Sequence, residues 1–354
     1  MTRPIKATLD LSALRHNHGV ARSHSRAAHI WSVVKANAYG HGLVRCASAL
    51  AELTDGYALI ELEGAIALRE AGLDLPILML EGFYSADELP LFHQYQLTPV
   101  VHSLEQVKML DAAKLSLPLY LKLNTGMNRL GLNAAELRSA LAMLTRLAIT
   151  DITLMTHFSD ADTTLGIHDQ LEQFNSLRLG HGYPVSHANS ATLLRYPECD
   201  GDWVRPGIML YGSSPFPEMQ SAKALGLKPV MTLESELIAV RNLSPGDSVG
   251  YARMFTADQA MRIGVVACGY ADGYPRSAST GTPVLVCGRR TRTLGRVSMD
   301  KISVDVSDIP EAGVGSRVQL WGGGLSADEV ATATGTVSYE LFCALAARVR
   351  VFET

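Results

Sequence analysis

What this 354-residue sequence lacks narrows its function first. Its five cysteines, Cys46, Cys199, Cys268, Cys287 and Cys343, are scattered, odd in number and never spaced CxxC. That argues against a disulfide framework and a zinc site, and for a reducing cytoplasm. No apolar run approaches the ~20 residues that span a bilayer. The opening Met1-Thr2-Arg3-Pro4-Ile5-Lys6 has no signal-peptide core. A net charge of −4 gives no reason to expect nucleic acid or an anionic membrane as partner. There is no low-complexity segment. No GxGxxG follows the first apolar strand, which counts against a dinucleotide fold.

What is present is a chain with 47% hydrophobic and 19% charged residues, enough for a generous core. Its length favours one large domain plus a smaller one. A short strand pattern over 5–11 precedes a helical pattern over 12–23, for which Ser12 is the expected N-cap. Eight short apolar segments follow, at 30–35, 57–60, 77–80, 98–101, 119–123, 152–157, 184–189 and 203–210, most of them separated by helical patterns. They are uniformly apolar rather than alternating, as strands buried on both faces are. Eight strand–helix units predict an α/β architecture, a (β/α)8 barrel over residues 12–229; an open doubly wound sheet is the alternative. From 230 to 354 the texture is mostly β, with runs at 230–240, 263–268, 283–286, 301–306 and 316–320, glycine-rich turns, and helices near 327–334 and 339–347. Residues 1–11 are expected to pair their strand into that second domain.

The chemistry is expected where barrel strands end. The first apolar run ends at Lys35, before Ala36-Asn37-Ala38-Tyr39-Gly40-His41-Gly42. A lysine at the mouth of a parallel strand is partly desolvated, loses its proton readily and can form a Schiff base. Further along, Lys122 with Arg129 behind it, His157, Asn189-Ser190 and Arg205-Pro206-Gly207 also fall at strand ends. This set suits a phosphate-bearing cofactor and lysine-based carbonyl chemistry. Ser190 and the backbone N–H groups near Gly207 and Ile208 can cradle a phosphate.

In order and combination these stretches resemble the bacterial alanine racemases, across essentially the whole chain. The matching motifs are 34–42, 122–131, 156–158, 189–191 and 204–212 in the barrel, and 249–251, 269–276 and 295–300 beyond it. The resemblance implies pyridoxal 5'-phosphate (PLP) as cofactor, a homodimer with shared active sites, and interconversion of L- and D-alanine. The uses open to such an enzyme are D-alanine supply for peptidoglycan and alanine catabolism. It further implies that Lys35 holds PLP and is the base on one face of the substrate, with Tyr251 of the other subunit the base on the opposite face. Tyr39, Ser190, Gly207, Ile208 and Tyr339 would bind the phosphate, with Asn189 beside them. Arg205 would face the pyridine nitrogen with His157 behind it. Arg129 would lie near the phenolic oxygen and the substrate carboxylate, oriented by a carbamylated Lys122. Met299, from the second subunit, would abut the substrate. Tyr270, Arg276 and Arg296 would line the entryway. No metal is implied.

Physical chemistry fits these roles. Inverting an α-carbon needs two bases on opposite faces, because one base returns the proton to the face it left. Arginine, with a pKa above ~12, does not protonate a pyridine nitrogen, so the electron sink stays weak and the carbanion short-lived. Tyrosine ordinarily titrates near ~10, so Tyr251 needs activation. Two departures from the family pattern stand out: Ala252-Arg253 after Tyr251, where glycine is common next, and Asn124, where aspartate is frequent. Rival readings are a serine or broad-specificity racemase, a PLP-dependent decarboxylase, which usually places an acid at the pyridine nitrogen, and a non-catalytic PLP carrier. The His16–His18 pair is read as a solvated helix face, and His187 as support behind Asn189.

Overall fold

The computed structural model describes residues 3–178 and 180–354. It divides into two compact units, one of residues 17–38 and 42–210, the other of residues 1–16, 39–41 and 211–354. Strand β1 (Lys6–Leu9) leads into the helix Leu11–His24. That helix is capped two residues earlier than its sequence implies: the Asp10 carboxylate accepts both the Ala13 N–H at 2.9 Å and the Ser12 hydroxyl at 2.6 Å. Aspartate at the N-cap also complements the helix dipole.

The first unit is the barrel. Strands β2 (His29–Val33), β3 (Gly56–Leu59), β4 (Ile77–Met79), β5 (Leu97–Val101), β6 (Leu119–Lys122), β7 (Ile152–Met155), β8 (Val185–Ser186) and β9 (Trp203–Val204) form one eight-stranded sheet. Its order is β9-β2-β3-β4-β5-β6-β7-β8, with every neighbouring pair parallel. A parallel bridge between Asn189 and Arg205 nearly closes it, with the Arg205 N–H on the Ala188 carbonyl at 2.8 Å. All eight apolar segments of the sequence hold a strand. The last two are the shortest, at two residues each, and after the last the chain turns into the 3-10 helix Ile208–Tyr211.

The barrel is filled by side chains. Trp31 stacks on Trp203 at 4.3 Å, and its indole N–H donates to the Tyr120 hydroxyl at 2.9 Å. Gly56 makes room for this: a Cβ there would lie 2.2 Å from Trp31. The outer helices carry their own stop and start signals. Asn133 and Glu136 form a capping box at the head of Ala134–Arg146, and Ser103 caps Leu104–Ala113.

The second unit is mostly β. Its strands are β10 (Met231–Leu243), β11 (Ser248–Val249), β12 (Phe255–Thr256), β13 (Met261–Val266), β14 (Pro283–Val286), β15 (Arg289–Leu294), β16 (Ile302–Asp305), β17 (Arg317–Trp321) and β18 (Arg350–Glu353). The large sheet runs β13-β16-β15-β14-β17-β10-β1-β18. β10 is long enough to serve both ends of it: its first half pairs with β1 and β17, and beyond a bulge at Leu237/Ala239 its second half pairs with β13. β1 runs antiparallel to β10 and parallel to β18, with Lys6 opposite both Glu234 and Arg350. Helices Ala327–Thr334 and Ser338–Cys343 complete the unit. Among the described residues no helix is long and apolar enough to cross a membrane.

Candidate active site

Lys35 sits just past β2, and the turn that follows it is unusual. Ala36, Asn37, Ala38 and Tyr39 all have left-handed backbone, with φ of 52°, 53°, 53° and 51°. None is glycine, so each carries the steric cost of an L-residue there, about 1–2 kcal/mol apiece. Hydrogen bonds hold the turn in place. The Ala36 N–H donates to the Glu61 carboxylate at 3.1 Å, the Ala38 N–H to the Val34 carbonyl at 2.9 Å, and the Gly42 N–H to the Asn37 carbonyl at 2.9 Å. The Asn37 side chain accepts the Leu43 N–H at 2.8 Å, at the start of the helix Leu43–Leu50. Strain concentrated beside a reactive side chain marks a functional site.

The barrel mouth is strongly cationic. Lys122 ends β6 and is only 8% exposed; burial first, then Arg205, Arg129 and Lys35, push its ammonium down to about 8, against the pull of Glu81. Arg205 is buried, and burial lowers its pKa to about 10, so it stays protonated at neutral pH. Its guanidinium donates to the Ser186 hydroxyl at 2.6 Å and to the Thr156 carbonyl at 2.8 Å. His157 feels burial and the same four cations and is held well below the ordinary histidine range, hence neutral. A mouth that gathers Lys35, Lys122, Arg129 and Arg205 suits an anion.

Ser190 and Gly207 meet directly: the Gly207 N–H donates to the buried Ser190 hydroxyl at 2.8 Å. Asn189 caps the turn that presents Ser190, accepting the Thr192 N–H at 2.9 Å. Ile208 follows, 1% exposed. These two segments place a hydroxyl and backbone N–H groups together, the donor set a phosphate requires. The loop bearing Arg129 is organised by Asn124, whose side chain accepts the Gly126 and Asn128 N–H groups and donates to the Asn128 side chain at 2.9 Å. The amide does both jobs, where an aspartate could only accept.

In the second unit Tyr39 is buried among aromatics, 4.7 Å from the Tyr211 ring and 5.9 Å from that of Tyr339. Burial, with the Cys343 thiol beside it, raises its pKa, so it is a donor and not an anion. Tyr251 stands in the turn between β11 and β12 and is 70% exposed. Gly250, Ala252 and Arg253 around it all have positive φ, of 74°, 60° and 49°. Glycine's absence after Tyr251 thus leaves Ala252 in a conformation that favours glycine. Tyr270 is 38% and Met299 53% exposed. Arg276 is exposed and Arg296 half-buried.

Sequence reasoning missed part of the mouth. Glu81 follows β4 and His102 follows β5, and both are felt at the site: Glu81 opposes the cations at Lys122, and Lys122 helps lower His102 after burial. The strand-end rule that found Lys35 applies to His102 as well. One bland reading is corrected. His18 is not on a solvated face but 2% exposed, and burial drives its imidazole down to about 4. No metal-holding cluster exists among the described residues. His187 is buried between the Phe158 and Phe174 rings.

Known proteins resemble this chain over its whole length. Residues 9–215 match the family described as "Alanine racemase, N-terminal domain", and residues 230–352 match "Alanine racemase, C-terminal domain". An alanine racemase from Nitrosomonas eutropha is 55% identical over 357 residues, covering 99% of this chain and 98% of the relative. The biosynthetic alanine racemase from Pseudomonas aeruginosa superposes with a TM-score of 0.96 at 46% identity, covering 100% of both chains. The Bartonella henselae alanine racemase, solved with covalently bound pyridoxal phosphate, gives 0.89 at 26% identity over 99% of each. With both family domains matched in order and the likeness running over its full length, the chain belongs to the alanine racemase family.

Proposed function

We propose that this alanine racemase works by two bases on opposite faces of the α-carbon, Lys35 and the Tyr251 of a second copy of the chain. The observation that carries the reading is the barrel mouth, where Lys35 shares its surroundings with a buried Arg205 held by Ser186 and Thr156. The donor set fits PLP. Ser190, Gly207 and Ile208 offer a phosphate cradle, and the cationic excess matches an anionic cofactor and a carboxylate substrate. When bound, PLP supplies the electron sink that acidifies the α-hydrogen.

The chain's own residues do the rest. Lys35 anchors the cofactor, and its amine takes and returns the proton on one face. Arg205 would face the pyridine nitrogen of bound PLP and, staying protonated itself, would give it no proton. Arg129 takes the substrate carboxylate, with Lys122, as a carbamate, holding Arg129 in place; a lysine pushed down to about 8 has the neutral amine that carbon dioxide requires. His157 and Asn189 support the ring and the phosphate cradle. The assignment of Tyr39 and Tyr339 to the phosphate rests on family likeness alone.

The exposure of Tyr251, Met254, Tyr270 and Met299 supports a homodimer, since four large side chains on one unit are left to solvent in the single chain. On this reading Met299 abuts the substrate, while Tyr270, Arg276 and Arg296 line its route. Five scattered cysteines, none of them in a disulfide, support a cytoplasmic location. The test is proton NMR of the PLP-loaded protein with L-alanine in heavy water. Loss of the α-proton signal with D-alanine appearing on chiral analysis upholds the reading. Exchange of another amino acid would shift the substrate, and loss of its carboxylate would make the enzyme a decarboxylase.

A further inference from the structure

Asp272 lies in the stretch that carries Tyr270 and Arg276, and none of the roles above uses it. Its carboxylate has no exposed surface at all. Two guanidinium groups from opposite ends of the sequence reach it. Arg3 makes a two-pronged contact, at 2.6 Å to Oδ1 and 3.0 Å to Oδ2, and the Arg348 Nε donates to Oδ1 at 2.7 Å. The backbone N–H of Gly269 fills the remaining position on Oδ2, at 2.9 Å. Both arginines then extend to the neighbouring loop. Arg348 donates to the Asp300 carboxylate at 2.7 Å, and Arg3 donates to the Asp300 carbonyl at 3.2 Å.

The two loops so joined are the ones that bear Tyr270 and Met299. They are also stitched by backbone, with the Tyr270 N–H on the Ser298 carbonyl at 3.1 Å and the Ala271 N–H on the Met299 carbonyl at 3.0 Å. Their approach is close enough that a Cβ on Gly269 would lie 2.3 Å from the Ser298 oxygen and 2.4 Å from that of Met299. A third segment joins through the Ala346 N–H, which donates to the Asp272 carbonyl at 3.2 Å. Met299 is 53% and Tyr270 38% exposed, so within this chain the backbone contacts between the two loops do much to set where they stand.

We propose that Arg3, Asp272 and Arg348 form an ionic latch that fixes the separation of Tyr270 and Met299, and thereby the width of the substrate entrance. They are positioning residues: none touches substrate, and their effect passes through the two loops. A buried carboxylate with every acceptor site engaged is rigid, and two-pronged arginine contacts add direction to that rigidity. The inference rests on the reading that Tyr270 and Met299 border the substrate route.

The test compares wild type, R3A, R3K and R348A as PLP-loaded enzymes, with initial rates on L-alanine and on the larger L-serine. PLP content is read by absorbance and assembly by sedimentation. The alanine variants should raise KM for L-alanine roughly tenfold and narrow the preference for alanine over serine by a similar factor, with kcat within about twofold. R3K, which keeps charge but not the fork, should recover part of both. Unchanged KM and unchanged preference overturn the latch, whatever happens to the melting temperature. So does a KM rise that is matched by loss of PLP or of assembly, because that is general loosening. A wild type that exchanges no α-proton from any amino acid overturns the underlying site reading, and the latch with it.

Discussion

The Arg205 guanidinium donates to the Ser186 hydroxyl at 2.6 Å, with both side chains out of water. Ser186 in turn donates to the Trp203 carbonyl at 2.9 Å, so the hydroxyl links the two strands that close the barrel. Removing it leaves a buried charged donor without its acceptor, at a cost of about 1–3 kcal/mol. S186A should lose that much stability in urea, and kcat should fall roughly tenfold with KM little changed. S186T, which keeps the hydroxyl, should restore both. Full activity in S186A would mean that Thr156 alone orients the arginine.

Replacing Tyr251 with phenylalanine should separate proton exchange from racemisation. Lys35 survives in Y251F, so the α-proton of D-alanine should still exchange with heavy water. Removal of the α-proton from L-alanine should fall by orders of magnitude, and the net interconversion with it. Equal loss of exchange from both enantiomers would sink the assignment of one base to each face.

Lys122 makes stability depend on pH in a direction that can be stated in advance. Its native pKa, about 8, lies below the ~10.4 of an unfolded lysine. Between these values the unfolded chain binds more protons than the native one, so stability climbs as pH rises from about 8 toward ~10.4. Below about 8 the cost of the buried charge is fully present. K122M, of similar shape and uncharged, should lack this climb in carbon-dioxide-free urea titrations. Parallel curves for the two proteins would place the ammonium in water after all. Carbon-13 bicarbonate should label a carbamate in wild type and not in K122M.

The turn after Tyr251 offers a substitution that stabilises. Ala252 holds φ 60° and ψ 15°. Left-handed backbone costs an L-residue about 1–2 kcal/mol, against about 0.4–1 kcal/mol of extra unfolded-chain entropy for glycine. A252G should therefore gain about 0.5 kcal/mol in urea. A loss would show that the alanine methyl has packing of its own.

The barrel was legible because burial on both faces leaves a strand uniformly apolar, as in Leu119–Lys122 and Ile152–Met155. β15 was not, because Arg289-Arg290-Thr291-Arg292 shows only its solvent face. Those arginines pair with Glu311, Glu329 and Asp305, partners no local pattern reveals. The site divides likewise. Lys35 and His157 could be read because each ends an apolar run, and Lys122 and Arg205 because each interrupts one. Glu81 is set two residues beyond its strand, and Ser186 passes for an ordinary strand serine until Arg205 is seen against it. The left-handed turn after Lys35 was also invisible, since Ala-Asn-Ala-Tyr holds no glycine to announce it.

That turn also sets a schedule. Four successive left-handed residues are a conformation that an unfolded chain of L-amino acids scarcely visits. Glu61, Val34 and the start of the next helix, once assembled, help to hold it. A newly made chain thus carries an ordinary lysine at position 35. On the role proposed for Lys35, the residue that anchors the cofactor would come into being when the barrel does, and cofactor capture should report on completed folding.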